Sequence, residues 1–143
     1  RFTLDNTRIR CIMGPFGSGK TSGCIMDIMR RAHEQVPSPD GIRRSRWAVI
    51  RNTYRQLLDT TIRSFHDWFP PIIFGEYNKT DHNYFITKFP GVQLEICFRA
   101  LDREDQVSNL LSFEFTSAYF NEAREIPWTI IDAMSYRSLS EKR

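Results

Sequence analysis

The chain has 143 residues, enough for one domain or part of one, and its 41% hydrophobic and 13% aromatic content can build a real core. Lysine and arginine number 20 against 17 aspartates and glutamates, a mildly basic balance that permits a nucleic-acid partner without demonstrating one. Three separated cysteines (Cys11, Cys24, Cys97) with no C-x-x-C pair or Cys/His cluster argue against zinc and for reduced thiols in apolar stretches. No apolar run reaches the roughly eighteen residues of a membrane span, and no signal-peptide pattern is present.

In chain order, Arg8-Ile9-Arg10-Cys11-Ile12-Met13 predicts a short strand, more charged than a buried parallel strand usually is. It leads into Gly14-Pro15-Phe16-Gly17-Ser18-Gly19-Lys20-Thr21, a match to G-x-x-x-x-G-K-[ST], the phosphate-binding loop. In that pattern the glycines Gly14, Gly17 and Gly19, with Ser18, let the backbone curl so that N–H groups point at a polyphosphate. Lys20 supplies a point charge for the β- and γ-phosphates of ATP, and Thr21 offers a hydroxyl to Mg²⁺. The competing reading is a glycine-rich turn with a surface lysine. The residues after Thr21 favour the loop: Cys24, Ile25, Ile28, Met29 and Ala32 form one helical stripe, with Asp27, Arg30, Arg31 and Glu34 opposite. Asp27 and Arg31 are spaced for an i,i+4 pair. Pro37-Ser38-Pro39-Asp40-Gly41 ends the helix.

Trp47-Ala48-Val49-Ile50 predicts a buried strand. Thr53 and Gln56 have capping-box spacing, and Tyr54, Leu58, Ile62, Phe65 and Phe69 make the apolar stripe of a second helix that Pro70-Pro71 stops. Residues 72–83 read as irregular. Tyr84-Phe85-Ile86 and Val92–Phe98 flank Pro90-Gly91 as a hairpin. Asp102 is expected to cap a helix running to about Leu110, Phe113–Phe120 reads as a strand, and Pro127 suits the first turn of a last helix. The order β-α-β-α-β-β-α-β-α predicts an α/β layer fold with a mainly parallel sheet flanked by helices.

Hydrolysis needs an acid to activate water and an oxygen ligand near the metal, both at the carboxyl end of a neighbouring strand. Phe115-Thr116-Ser117-Ala118-Tyr119-Phe120-Asn121-Glu122 fits that place. Glu122 is the candidate catalytic carboxylate, with Glu125 as a fallback, and Asn121 stands where an aspartate usually orients the metal. An amide oxygen can accept from metal-bound water but lacks the charge that holds Mg²⁺. Arg30-Arg31 and Arg43-Arg44-Ser45-Arg46 could follow a DNA path; a solvated helix end and loop is the plainer reading. His33, His66 and His82 read as surface or packing residues, and Trp47, Trp68 and Trp128 as core or contact residues.

Together, "GPFGSGKTSG", "RRSRWAVIRNTYRQLLDTTIRSFHDWFP" and "RALDREDQVSNLLSFEFTSAYFNEAREIP" resemble the large subunit of phage terminases. They cover most of residues 8–137. The resemblance implies a P-loop NTPase of the additional-strand, catalytic-glutamate (ASCE) type, incomplete at its C-terminal end. It implies an ATP hydrolase with Mg²⁺ that drives double-stranded viral DNA into a procapsid, in the host cytoplasm at the portal. The partners it implies are the portal protein, the small terminase subunit and further copies in a pentameric ring. Lys20, Thr21 and Glu122 then hold phosphate, metal and water, and a transition-state arginine, usually supplied across a subunit boundary, is expected, with Arg51 and Arg55 as candidates. The coupling strand and the nuclease domain are expected beyond Arg143, so residues 1–143 read as a partial ATPase domain. A helicase-like ATPase and a nucleotide-binding or assembly module without turnover are the alternatives.

Overall fold

The computed structural model describes residues 2–140. Five strands form one sheet, in the spatial order β2 (Gly75–Asn78), β3 (Asn83–Ile86), β4 (Val92–Ala100), β1 (Arg43–Arg51) and β5 (Ser117–Phe120). Its centre is β1 (Arg43–Arg51), which pairs in parallel with β4 (Val92–Ala100) from Arg43↔Val92 to Arg51↔Ala100. On its other side β1 pairs in parallel with β5 (Ser117–Phe120), from Trp47↔Ser117 to Ile50↔Phe120. β3 (Asn83–Ile86) and β2 (Gly75–Asn78) extend the sheet antiparallel beyond β4. The fold is therefore α/β, as expected, with a three-stranded parallel centre and an antiparallel flank.

The run Trp47–Ile50 is apolar throughout because both faces of β1 are covered. Successive side chains of a strand point to opposite faces. Trp47 and Val49 join a core with Ile25, Ile28 and Met29 of α1 (Lys20–Glu34), and Ala48 and Ile50 join a second core with Leu110, Phe115, Ile126, Ile130 and Met134. The second core is closed by α5 (Glu104–Ser112) and α6 (Trp128–Ser140). Pro127 directly precedes α6, as its fixed φ suits a helix start. The predicted stripe of α1 is buried, but Asp27 is buried with it.

After β1, Thr53 caps the next helix, accepting from the Gln56 backbone N–H at 3.3 Å, while the return bond of a capping box is not made and Gln56 Oε1 has no partner among the described residues. This helix starts as α2 (Tyr54–Gln56), widens into a π-helical stretch at Leu57–Ile62 and continues as α3 (Arg63–Trp68). π-Helical turns are uncommon and concentrate at functional sites. Pro70 follows the end of α3, and a short α4 (Pro71–Phe74) leads to β2.

Four expectations change. Residues 8–13 form no strand: Arg8 and Arg10 put guanidinium groups where a central parallel strand needs apolar side chains on both faces. Residues 72–83 include β2, which is half-exposed and only four residues long, too short to show a period. Its Gly75 lies so close to β3 that a Cβ would overlap the Phe85 carbonyl oxygen, so only glycine fits. Asp102 does not cap α5; its carboxylate accepts from the Tyr54 backbone N–H at 3.1 Å, and the cap position, Arg103, makes no side-chain capping bond. The last strand is shorter than Phe113–Phe120 because α5 runs on to Ser112 and takes Phe113 as its C-cap, whose N–H donates to the Leu110 carbonyl oxygen.

Candidate nucleotide-binding site

The three parallel strands end together at Arg51, Ala100 and Phe120, which defines one carboxyl edge of the sheet. Ligands of open α/β sheets bind outside that edge. The loop Gly14–Gly19 opens α1 and is exposed along its length. Gly17 (φ 73°) and Gly19 (φ 77°) take left-handed conformations that a glycine adopts freely, and Gly19 is the helix N-cap with no side-chain cap. The first turn of α1 thus keeps free backbone donors facing the loop. Lys20 folds back over it: its ammonium donates to the carbonyl oxygens of Gly14 (2.8 Å) and Pro15 (2.7 Å) and lies 3.4 Å from Ser18 Oγ. These are exposed hydrogen bonds that an incoming phosphate can replace.

The arm that precedes the loop is held by charge. Asp27, only 3% exposed, receives Arg10 from the preceding arm, Arg30 at 3.3 Å and Arg31 at 3.1 Å. Burial pushes its carboxyl upward, but the Arg10 hydrogen bond and the surrounding guanidinium charges outweigh this and hold it below the usual carboxylate range. Arg31 also donates to the Asp5 carbonyl oxygen at 2.9 Å, and Arg8 to that of Ser135 in α6. The predicted Asp27–Arg31 pair exists, within a larger cluster.

Across the edge, Asn121 extends the β5 ladder by one bond, its backbone N–H donating to the Ile50 carbonyl oxygen at 2.9 Å. Its side chain is buried: Nδ2 donates to Thr61 Oγ1 at 2.8 Å, and Oδ1 accepts from the Tyr119 hydroxyl at 3.3 Å. Thr61 lies in the π-helical stretch and is fully buried. The Tyr119 phenol sits beside Cys24 and Thr21 of α1, and burial, reinforced by Cys24, drives its ionisation far above the ordinary tyrosine range. It is a neutral donor. The chain of contacts Thr21–Tyr119–Asn121–Thr61 joins the phosphate loop's helix to the end of the acid-bearing strand.

Glu122 follows in a left-handed conformation (φ 56°), unusual for a residue with a side chain, which turns the chain out of the strand. Its carboxylate is 3.7 Å from Arg124 Nε. Glu125 lies exposed on the next turn. Arg51 reaches Thr60 Oγ1 at 3.4 Å and also lies near Tyr119, and its buried Nε has no hydrogen-bond partner among the described residues. Arg55 is on the outer face of α2, exposed and 3.7 Å from Asp59. Of the two candidate arginines, the fold brings Arg51 to the edge and leaves Arg55 outside. Lys20 and Glu122 make no hydrogen bond or ion pair with one another.

Among the described residues no group of three or more His, Cys, Asp or Glu side chains could hold a metal. The oxygen donors at the edge, the Thr21 hydroxyl and the Asn121 carbonyl, are hard and neutral. They suit Mg²⁺, which takes one or two protein oxygens alongside phosphate oxygens and waters, and they suit it only together with a polyphosphate. Clefts of about 440 Å³ (Tyr54, Leu58, Ile62, His66, Tyr77, His82 among its walls) and about 190 Å³ lie elsewhere, and neither includes a residue of the loop. The basic stretches are largely self-paired: Arg44 with Asp40 at 2.7 Å, Arg46 with Glu95 at 2.5 Å, Arg30 with Glu34 at 2.7 Å. Trp68, read as a core or contact residue, is half-exposed and donates to Ser22 Oγ at 3.0 Å, beside the loop. Tyr119 and Thr61 carry no motif, and nothing local in the sequence marks them.

The class these features define is an α/β layer fold with helices on both sheet faces and a glycine-rich loop beside the carboxyl edge. Solved structures similar to it are those of the large terminase from a thermophilic bacteriophage. One crystal form matches with a TM-score of 0.73 at 14% identity, covering 88% of this chain and 30% of that one. Complexes of the same protein with ADP and with ATP-γ-S match at 0.69 and 0.67, with 14% and 13% identity. The likeness is one of fold, and this chain spans less than a third of the terminase chains it matches. No family model and no curated protein matches the sequence. No described helix is long and apolar enough to cross a membrane.

Proposed function

We propose that this chain is the nucleotide-binding part of the ATPase domain of a terminase large subunit, a motor that hydrolyses ATP to move double-stranded viral DNA into a procapsid. The observation that carries the reading is the pairing of a G-x-x-x-x-G-K-T loop at the start of α1 with Asn121 and Glu122 at the end of a neighbouring parallel strand. The shared fold with a large terminase that has been crystallised with ADP and ATP-γ-S supports it.

In this reading Lys20 exchanges its two carbonyl partners for the β- and γ-phosphates, while Gly14, Gly17, Ser18, Gly19 and Thr21 present donors to the same groups. Glu122 orients the attacking water and accepts its proton as the water oxygen bonds the γ-phosphorus and the bond to the β–γ bridging oxygen breaks. Arg51 sets a permanent positive charge at the edge for the developing phosphoryl charge. Mg²⁺, when bound, neutralises the β- and γ-oxygens. The working assembly is a homo-oligomeric ring at the procapsid portal in the host cytoplasm, with the portal protein and small subunit as partners.

The test is ATP binding and phosphate release in Lys20→Ala and Glu122→Gln. Lys20→Ala should lose binding. Glu122→Gln should still bind while turnover falls by about 10²- to 10⁴-fold. Full turnover in both variants sinks the proposal. A second reading, a nucleotide-binding module without turnover, is favoured by one observation: the Asn121 amide adds no negative charge at the metal position. ATP binding by the wild-type protein with no phosphate release at any Mg²⁺ concentration would select it.

A further inference from the structure

An asparagine at a metal edge has a problem that an aspartate lacks. A carboxylate presents oxygen whichever way it turns, whereas an amide turned by half a rotation presents its NH₂ donors to the cation. Something must fix its orientation. In this structure both ends of the Asn121 amide are engaged: Nδ2 donates to Thr61 Oγ1 at 2.8 Å and Oδ1 accepts from the Tyr119 hydroxyl at 3.3 Å. Thr61 is fully buried, Asn121 is 6% exposed, and the Tyr119 hydroxyl lies next to Thr21, the loop's own candidate metal ligand. The amide oxygen therefore faces the Tyr119 hydroxyl, which borders α1, and the NH₂ faces the π-helical side.

We propose that Tyr119 and Thr61 are positioning residues that lock the Asn121 amide with its oxygen toward Thr21, so that the pair can receive a hydrated divalent cation on a bound nucleotide. Thr61 is delivered to this contact by the π-helical stretch Leu57–Ile62, which gives that irregular segment a role in the site. The lock is needed because residue 121 is an amide. Hydrogen-bond partners behind a metal ligand set its orientation, and removing them commonly lowers metal affinity. The proposal rests on the nucleotide-site reading above and adds to it the residues that act through Asn121.

The experiment is a titration of Mn²⁺ into the protein with ADP, followed by electron paramagnetic resonance, for wild type, Tyr119→Phe, Asn121→Asp and the double variant. Tyr119→Phe should weaken Mn²⁺ binding roughly 10- to 100-fold in the wild-type background. In the Asn121→Asp background the same change should have little effect, because a carboxylate has no wrong end. Equal losses in both backgrounds would mean that Tyr119 serves packing alone, and the inference falls. Thr61→Val should reproduce the loss and Thr61→Ser should restore affinity; this pair decides the matter if Tyr119→Phe fails to fold. If wild type binds ADP but Tyr119→Phe and Thr61→Val leave Mn²⁺ affinity unchanged, the inference alone is overturned. If wild type binds no nucleotide, the site reading falls and takes the inference with it.

Discussion

The centre of the sheet and the arm-and-loop that precedes α1 are held by opposite kinds of force. Along β1 and β4, Ala48, Val49, Ile50, Ile96 and Cys97 are inaccessible to solvent, and β1 packs a core on each face. Burial of that kind is non-directional and strong in sum. From Asp5 to Gly19 the chain instead depends on a few polar anchors: Arg10 on Asp27, Arg31 on the Asp5 carbonyl, Lys20 on its own loop. Ile9, Met13 and Phe16 stand exposed there. The contrast has a functional sense. A loop that must wrap a phosphate has to exchange its internal hydrogen bonds for bonds to the ligand, and hydrogen bonds at the surface are exchanged at little net cost. The rigid centre supplies a fixed edge against which that exchange can take place.

The largest expected effect tests the rigid side. Phe65 is fully buried and meets Phe98 edge-on at 5.2 Å. Phe65→Ala should cost about 3–5 kcal/mol in urea denaturation. A loss below about 1 kcal/mol would show that this layer is not a packed support for the sheet. The next test addresses the anchored side. Asp27→Ala leaves three guanidinium groups without their shared carboxylate and should cost about 1–3 kcal/mol, the partial exposure of the arginines limiting it. Proteolytic cleavage should accelerate within residues 5–19 while the amides of β1 stay protected from exchange; loss of protection in β1 as well would mean that the two regions open as one unit.

A smaller effect comes from pH. Burial lowers the imidazole pKa of both His66 and His82, the latter helped by Arg99. The unfolded chain takes up these protons near the ordinary value of 6.5, before the folded one does. Their contribution to stability is thus complete above that value and is lost as pH falls below it. The melting temperature should drop between about pH 7.5 and about pH 5.5, and less so when both are replaced by asparagine. The smallest effect belongs to the loop: Phe16→Ser removes a fully exposed ring and should leave the denaturation midpoint unchanged. A clear loss there would show the ring to be packed in solution, and the loop to be less free than the contrast requires.

How far the sequence could be read depended on how local each signal was. The stripe of α1, the cap at Thr53 and the β3–β4 hairpin rest on residues within one or two turns of each other, and all appear as expected. The arm at residues 8–13 misled because alternating Ile9, Cys11 and Met13 looks like a strand, whereas Arg10 finds Asp27 instead of a sheet neighbour. Asp27 misled for the same reason: spacing gave it one arginine, and folding gave it three.

The chain's own order of residues determined that a glycine-rich loop opens an amphipathic helix and that an Asn-Glu pair ends a strand, since periodicity and turn chemistry act over a few residues. Tertiary structure alone decided that Thr61 and Tyr119 clasp the two ends of Asn121, and that Arg51 lies at the edge while Arg55 faces outward. Thr61 and Asn121 are 60 positions apart. Their meeting depends on the parallel register of β1 with β5 and on the π-helical widening after Gln56, and neither leaves a mark on any short stretch of sequence.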